Sequence, residues 1–357
     1  MSTSRKRFDL NVLTNDELKS RYQFFLERGI ETLDSLNKGY RKDNDDLKVD
    51  AFYYYSTSVN AFVDKEGPEY RLGISIAALP LLKVLFDKLL GFSHVIPELT
   101  ATTTPVVYEI PFALDVSKGE LDTRFDIKLS DERALMSSLL SALCQDFIVL
   151  HEIGHIACGH AEGYFHLTGK KQLSEHSRFQ TWNTYLRKSW EFEADVIAST
   201  LIVQYLDTVV ESTQREGNLR QLFSFCRDES ELRCRLVALL NVALFTLFAY
   251  MNRLCLEFRR YHFHPSPLIR AYYTADYVAG RAKRDWDIDV ALFEKVQDEY
   301  LDQFLQALES ISAFDCETIT DDFEERIANT KKLLQRGFRR FRPHYEKWSW
   351  IPTEAWR

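Results

Sequence analysis

No block of basic residues runs along this chain, and its formal net charge is −8. That balance gives no reason to expect nucleic acid as a partner. Cysteine is scarce and scattered. Cys144, Cys158, Cys226, Cys234, Cys255 and Cys316 form neither a CxxC pair nor the density of a disulfide scaffold. A reducing, cytoplasmic setting is the expectation. The opening residues, MSTSRKRFDLNVLTNDELK, hold a basic trio with no apolar run behind it, so no secretory signal is read there. The longest uncharged apolar run, Leu236–Met251, has 16 residues. As a helix it spans about 24 Å, short of the roughly 30 Å of a bilayer core. Asn241 lies inside it and Arg235 and Arg253 bound it closely, so it reads as a buried central helix rather than a membrane span. Internal repeats and low-complexity segments are absent as well.

What is present is material for a large core, since 45% of the 357 residues are apolar. Residues 15–40 read as a helix that stops near Gly39, and RKDNDDLK after it is a polar break. Three segments are read along the chain: an N-terminal helical segment over 1–45, a central domain over 46–282, and a C-terminal helical appendage over 283–357. In the last, two charged amphipathic helices lead to a tail with Trp348, Trp350 and Trp356 that is expected to dock back.

The chemistry is concentrated in CQDFIVLHEIGHIACGH, residues 144–160. His151 and His155 are one helical turn apart, so both imidazoles reach toward one point, and Glu152 stands beside them. This HExxH arrangement is a zinc signature in which the glutamate takes a proton from the attacking water. A catalytic zinc needs a third protein ligand and one open position. The metzincin spacing, Gly three and His six residues after the second His, meets Cys158 and Ala161 and fails. The alternative, a glutamate with an aspartate four residues later on a following helix, is met by Glu191 and Asp195. Glu191 is then the third ligand, and Asp195 accepts the far ring N–H of a ligating imidazole. Glu193 points roughly 200° away from Glu191 and is expected to be solvated or paired elsewhere. His160, His166 and His176 read as surface or loop residues. Gly154 inside the motif helix costs about 1 kcal/mol against alanine, which close approach of another backbone would explain.

Ahead of the motif, Val59–Val63 is followed by a Gly67-Pro68 turn, then Tyr70–Ile76 reads as a strand and Ala77–Leu90 as a helix. Residues 91–130 suggest a further strand pair, Val106–Ile110 with Phe125–Leu129. Ser130-Asp131-Glu132 then opens the motif helix. Beyond the apolar helix, His264 precedes a helix that starts at Ser266-Pro267 and carries Arg270 in its first turns. An imidazole and a cation there are candidates to stabilise a tetrahedral oxyanion.

Taken together, HEIGH at 151–155, EFEAD at 191–195 and HPSPLIR at 264–270, preceded by VNAFV at 59–63, resemble the gluzincin peptidases related to the CAAX prenyl endopeptidases and the bacterial heat-shock membrane peptidases. The resemblance covers about residues 59–270. It implies a mainly helical, zincin-like α+β fold with a small sheet whose edge strand flanks the zinc helix. It places Asn60, Ala61 and Phe62, with Gly73, Ile74 and Ser75, along the substrate edge. One Zn2+ per chain would be held by His151, His155 and Glu191, with Asp195 behind them, Glu152 as general base, and His264 and Arg270 flanking the cleft. The expected activity is hydrolysis of peptide bonds in a protein or peptide substrate. Val63 replaces the usual alanine, and the family's several membrane spans are missing, so its prenyl- or membrane-protein substrates do not transfer. Peptidases of phage-exclusion and repressor-cleaving systems are nearer in size. An integral-membrane peptidase of the same family and a non-catalytic zinc-stabilised binding protein stay open as alternatives.

Overall fold

In the computed structural model, residues 6–40, 48–100, 127–168, 172–174, 182–215, 217–258, 267–311 and 322–352 are described. The motif helix, α3 (Asp131–Ala157), begins where the extended Ser130 accepts a hydrogen bond from the amide of Arg133. Arg133 ties that start to the preceding helix, α2 (Ala78–Leu90): its guanidinium is fully buried and donates to the carbonyls of Leu90, Phe92 and Val95. Helix α3 ends at Cys158 followed by Gly159, whose positive φ of 74° suits glycine and turns the chain into α4 (His160–Thr168).

The remaining helices are α1 (Asp16–Tyr40), α5 (Trp182–Arg215), α6 (Gly217–Leu222), α7 (Glu229–Phe258), α8 (Pro267–Trp286), α9 (Val290–Ser310) and α10 (Phe323–Tyr345). The protein is thus mostly helical, with one small mixed sheet, as an α+β reading requires. Helix α5 packs against α3, α8 and α10, so it is enclosed on several sides. Helix α7, expected to be central, contacts α3, α8 and α9 and is buried along Leu236–Tyr250. By length and composition, α3 and the Glu229–Asn252 part of α7 are apolar enough to cross a membrane, and both are largely buried inside the protein. A single hydrophobic cluster runs from Phe8 to Ile351 and draws on all three segments marked out by the sequence.

The sheet has four strands in the order β1-β3-β2-β4: β1 (Lys48–Tyr54), β2 (Ala61–Glu66), β3 (Glu69–Ser75) and β4 (Gln172–Ser174). This corrects the expected substrate edge. Gly73, Ile74 and Ser75 lie in β3, which is interior, paired in parallel with β1 and antiparallel with β2. The cause is β1: its first residue falls in the polar break, and the charged lead-in masks the strand pattern of Lys48–Tyr54. On the other side of β2, β4 pairs with Phe62–Asp64 and leaves Asn60 and Ala61 beyond its span. The expected strand Val106–Ile110 lies outside the described residues, and Ile127–Leu129 form no strand. The tail docks as anticipated through Trp350, whose amide donates to the carbonyl of Ala157 at 2.8 Å; Trp356 lies outside the described residues.

Candidate metal centre

Two helices crossing at close range build the site. A Cβ placed on Gly154 would lie 2.9 Å from Ala194 Cα and 3.0 Å from its carbonyl oxygen. Glycine at 154 is therefore what lets the backbones of α3 and α5 touch, the close approach inferred from its presence in a helix. Each contact residue sits between two candidate site residues, 151 and 155 on α3, 191 and 195 on α5. The crossing carries both pairs to one point.

There, His151 Nε2 lies 3.1 Å from Glu191 Oε2 and 3.2 Å from His155 Nε2. The third side of the triangle, His155 Nε2 to Glu191 Oε2, is 3.6 Å. A tetrahedral zinc with bonds of about 2.0–2.1 Å separates its ligand atoms by about 3.3 Å, so the three side chains fit such an ion. All three are buried, as is Glu152. Among the described residues, two imidazoles and one carboxylate would leave a fourth position open, unlike the closed four-ligand sets of structural zinc.

Behind His151, its Nδ1 stands 2.8 Å from Asp195 Oδ1. Asp195 is held in turn by Arg270, which donates from Nε at 2.8 Å and Nη2 at 2.7 Å, and by the hydroxyl of Tyr273. Burial disfavours charge on Asp195, but Arg270 and His151 outweigh it and keep the carboxyl well below the usual range. Burial likewise opposes a proton on His151, yet Asp195 and Glu191 push its pKa up to about 10. His155 goes the other way: burial, only partly offset by Glu191, takes it down to about 3.

Behind His155 the arrangement is unexpected. His160 is fully buried, not a surface residue, and its Nδ1 lies 2.9 Å from His155 Nδ1. Its Nε2 lies 2.9 Å from Glu193 Oε2. Glu193 is also fully buried, bonded by Arg342 and, at 2.7 Å, by the hydroxyl of Tyr345. Burial would raise the Glu193 pKa, but His160 and Arg342 lower it. The one local signal for His160 was Gly159, a helix terminator that sends the next residue off in a new direction. Nothing near Glu193 in the sequence announces a partner 149 residues away.

His166 is exposed, its ring stacked on Trp348 with centroids 4.6 Å apart. His176 and His264 lie outside the described residues. Arg270 is present at the site but faces Asp195. It also helps line a narrow cleft that reaches His151 and Glu152, walled by Asn60, Ala61, Phe248 and Met251. Asn60 Oδ1 is buried in that wall with no hydrogen-bond partner among the described residues.

Compared with known proteins, the chain matches no family model, no curated protein and no solved structure.

Proposed function

We propose that the protein is a zinc-dependent endopeptidase of zincin-like fold that hydrolyses peptide bonds in a protein substrate. The observation that carries the reading is the triangle of His151 Nε2, His155 Nε2 and Glu191 Oε2, with sides of 3.1, 3.2 and 3.6 Å, next to Glu152 at the end of a cleft. A zinc ion held there would polarise a carbonyl and bring water within reach of deprotonation at neutral pH.

The chain's own groups have defined tasks. Glu152 takes the proton of the attacking water and returns it to the leaving amine. Asp195 orients His151, while Arg270 and Tyr273 hold Asp195 in place. Both guanidinium contacts of Arg270 go to Asp195. Its task is therefore positioning rather than direct support of the oxyanion. A substrate in extended conformation pairs with the main chain at Ala61, which β4 as described does not reach, and Asn60 Oδ1 gains a partner beside it.

The test is metal analysis combined with peptide cleavage. Wild type is expected to retain one zinc after dialysis and to cut. Glu152→Gln should retain the zinc and lose activity by a factor of about 10² to 10⁴, the scale of a missing general base. His155→Ala should lose the metal. Undiminished turnover in Glu152→Gln removes the peptidase mechanism. Zinc uptake without any cleavage by wild type favours a binding protein instead. To find the substrate, new protein N-termini are compared between cells carrying wild type and Glu152→Gln.

A further inference from the structure

Beyond the proposed zinc ligands lies a second buried cluster, Cys158, His160 and Glu193, with ligand atoms within 4.8 Å of one another. It is poorly suited to a second metal. Glu193 Oε1 accepts from the Arg342 guanidinium, and Oε2 accepts from Tyr345 and stands at hydrogen-bond distance from His160. A cation entering there would meet a fixed positive charge at close range.

What the cluster does have is a direction. To present a bare Nε2 to a metal, neutral His155 must carry its proton on Nδ1. That atom is 2.9 Å from His160 Nδ1, which must then be the acceptor. His160 is left with its proton on Nε2, 2.9 Å from Glu193 Oε2, and an ionised carboxylate can only accept. One assignment satisfies both contacts. The His160 ring plane is fixed as well, stacked on Trp190 with centroids 5.3 Å apart and planes inclined by 20°.

We infer that His160 is a positioning residue that sets the tautomer and ring orientation of His155, and that Arg342 and Tyr345 of α10 anchor this relay through Glu193. The inference rests on the zinc reading above and deepens it: affinity for the metal depends on the C-terminal helix, through three successive side chains. The two ligand histidines are then supported by two different carboxylates of α5, His151 by Asp195 directly and His155 by Glu193 through His160. Arg342 also donates to Ser349 Oγ at 2.6 Å and to the Ile351 carbonyl, so the docked tail belongs to the same support.

Two measurements on the full-length protein test this. In zinc-loaded protein labelled with ¹⁵N at histidine, long-range nitrogen–proton correlations are expected to show His155 protonated at Nδ1 and His160 at Nε2. A proton on His160 Nδ1 overturns the relay, and this readout needs no variant to fold. In competition with a chromophoric chelator, His160→Phe keeps an aromatic ring beside Trp190 but removes the acceptor. Zinc should bind it about 10- to 100-fold more weakly, the range for partners of metal-ligating histidines. Tyr345→Phe should show a smaller loss in the same direction. Wild-type affinity in a folded His160→Phe overturns the inference alone. Failure of wild type to bind zinc overturns the zinc reading and, with it, this inference.

Discussion

Gly154 and Ala194 meet backbone to backbone, and their contact fixes how far His151 and His155 stand from Glu191 and Asp195. Gly154→Ala would gain about 1 kcal/mol of helix propensity on α3. The added methyl, however, would press on main-chain atoms that cannot rotate away, 2.9 Å from Ala194 Cα. Overpacking of this kind costs roughly 1–3 kcal/mol, so the net effect is destabilising. It should also weaken zinc binding, because the ligand triangle opens. Gly280→Ala, inside α8 with nothing within 4 Å of its added Cβ, is the control. It is expected to raise the thermal midpoint and leave zinc affinity alone. Equal effects of the two variants in thermal melts would refute the role given to the crossing.

Asp195 and Arg270 form a buried pair, and removing either partner leaves the other charge stranded. Asp195→Leu and Arg270→Met should each cost about 3–5 kcal/mol in denaturant unfolding. The double variant replaces both charges with apolar side chains and should recover most of that stability. Zinc affinity should not recover, because His151 still lacks its carboxylate, and a loss of about 10- to 100-fold should persist. Recovery of both properties together would show that Asp195 matters to the fold alone.

A second charged knot lies away from the candidate metal centre. Glu231 accepts from Arg227 Nε at 2.7 Å and from Arg235 Nε at 3.0 Å, and Arg235 reaches on to Glu98 and Tyr300. The hydrogen bond from Arg227, with Arg235 adding to it against burial, brings the Glu231 pKa from 4.5 down to about 2. A depressed carboxylate contributes stability above its ordinary pKa, and the contribution fades as pH falls toward the folded-state value. Glu231→Gln should therefore lower the melting midpoint at neutral pH by about 1–2 °C, a modest effect because Arg227 is solvated. The gap should narrow steadily from about pH 5 to about pH 2. A gap that widens on acidification would contradict the assignment.

How much of this was legible beforehand depended on range. The spacing of His151, Glu152 and His155 along one helix follows from 3.6 residues per turn, and so does the shared face of Glu191 and Asp195. Gly154 even announced the helix crossing, since a glycine in a long apolar helix needs a reason. Helices α1, α2 and α3 were readable from caps and periodicity. The interior position of β3 was not, because Lys48–Tyr54 follows a charged stretch and its pairing is decided by contacts distant in sequence. Helical geometry turns Glu193 away from Glu191, toward solvent or a partner elsewhere, and names no partner. That geometry describes α5 alone and cannot say that α10 covers its other side. His160, Arg342 and Tyr345 became visible only with the chain folded. Arg270 was placed at the site by its motif, but its partner, Asp195, is a matter of tertiary geometry.

Chelation separates a fold that depends on its metal from one that merely holds it. The hydrophobic cluster extends from Phe8 to Ile351 without reference to any ion, so stripping the metal removes a ligand, not the core. At a free zinc concentration about 100 times the dissociation constant, binding adds about 2.7 kcal/mol to the folded state. In a chain of 357 residues that corresponds to a shift of roughly 4 °C. EDTA is accordingly expected to lower the melting midpoint by that amount, abolish cleavage and leave far-ultraviolet circular dichroism at 25 °C unchanged. Restored zinc should return both the midpoint and the activity. Loss of helical signal at 25 °C on chelation would mean that the ion holds the structure together, as in a binding protein, and would remove the case for an open, catalytic position.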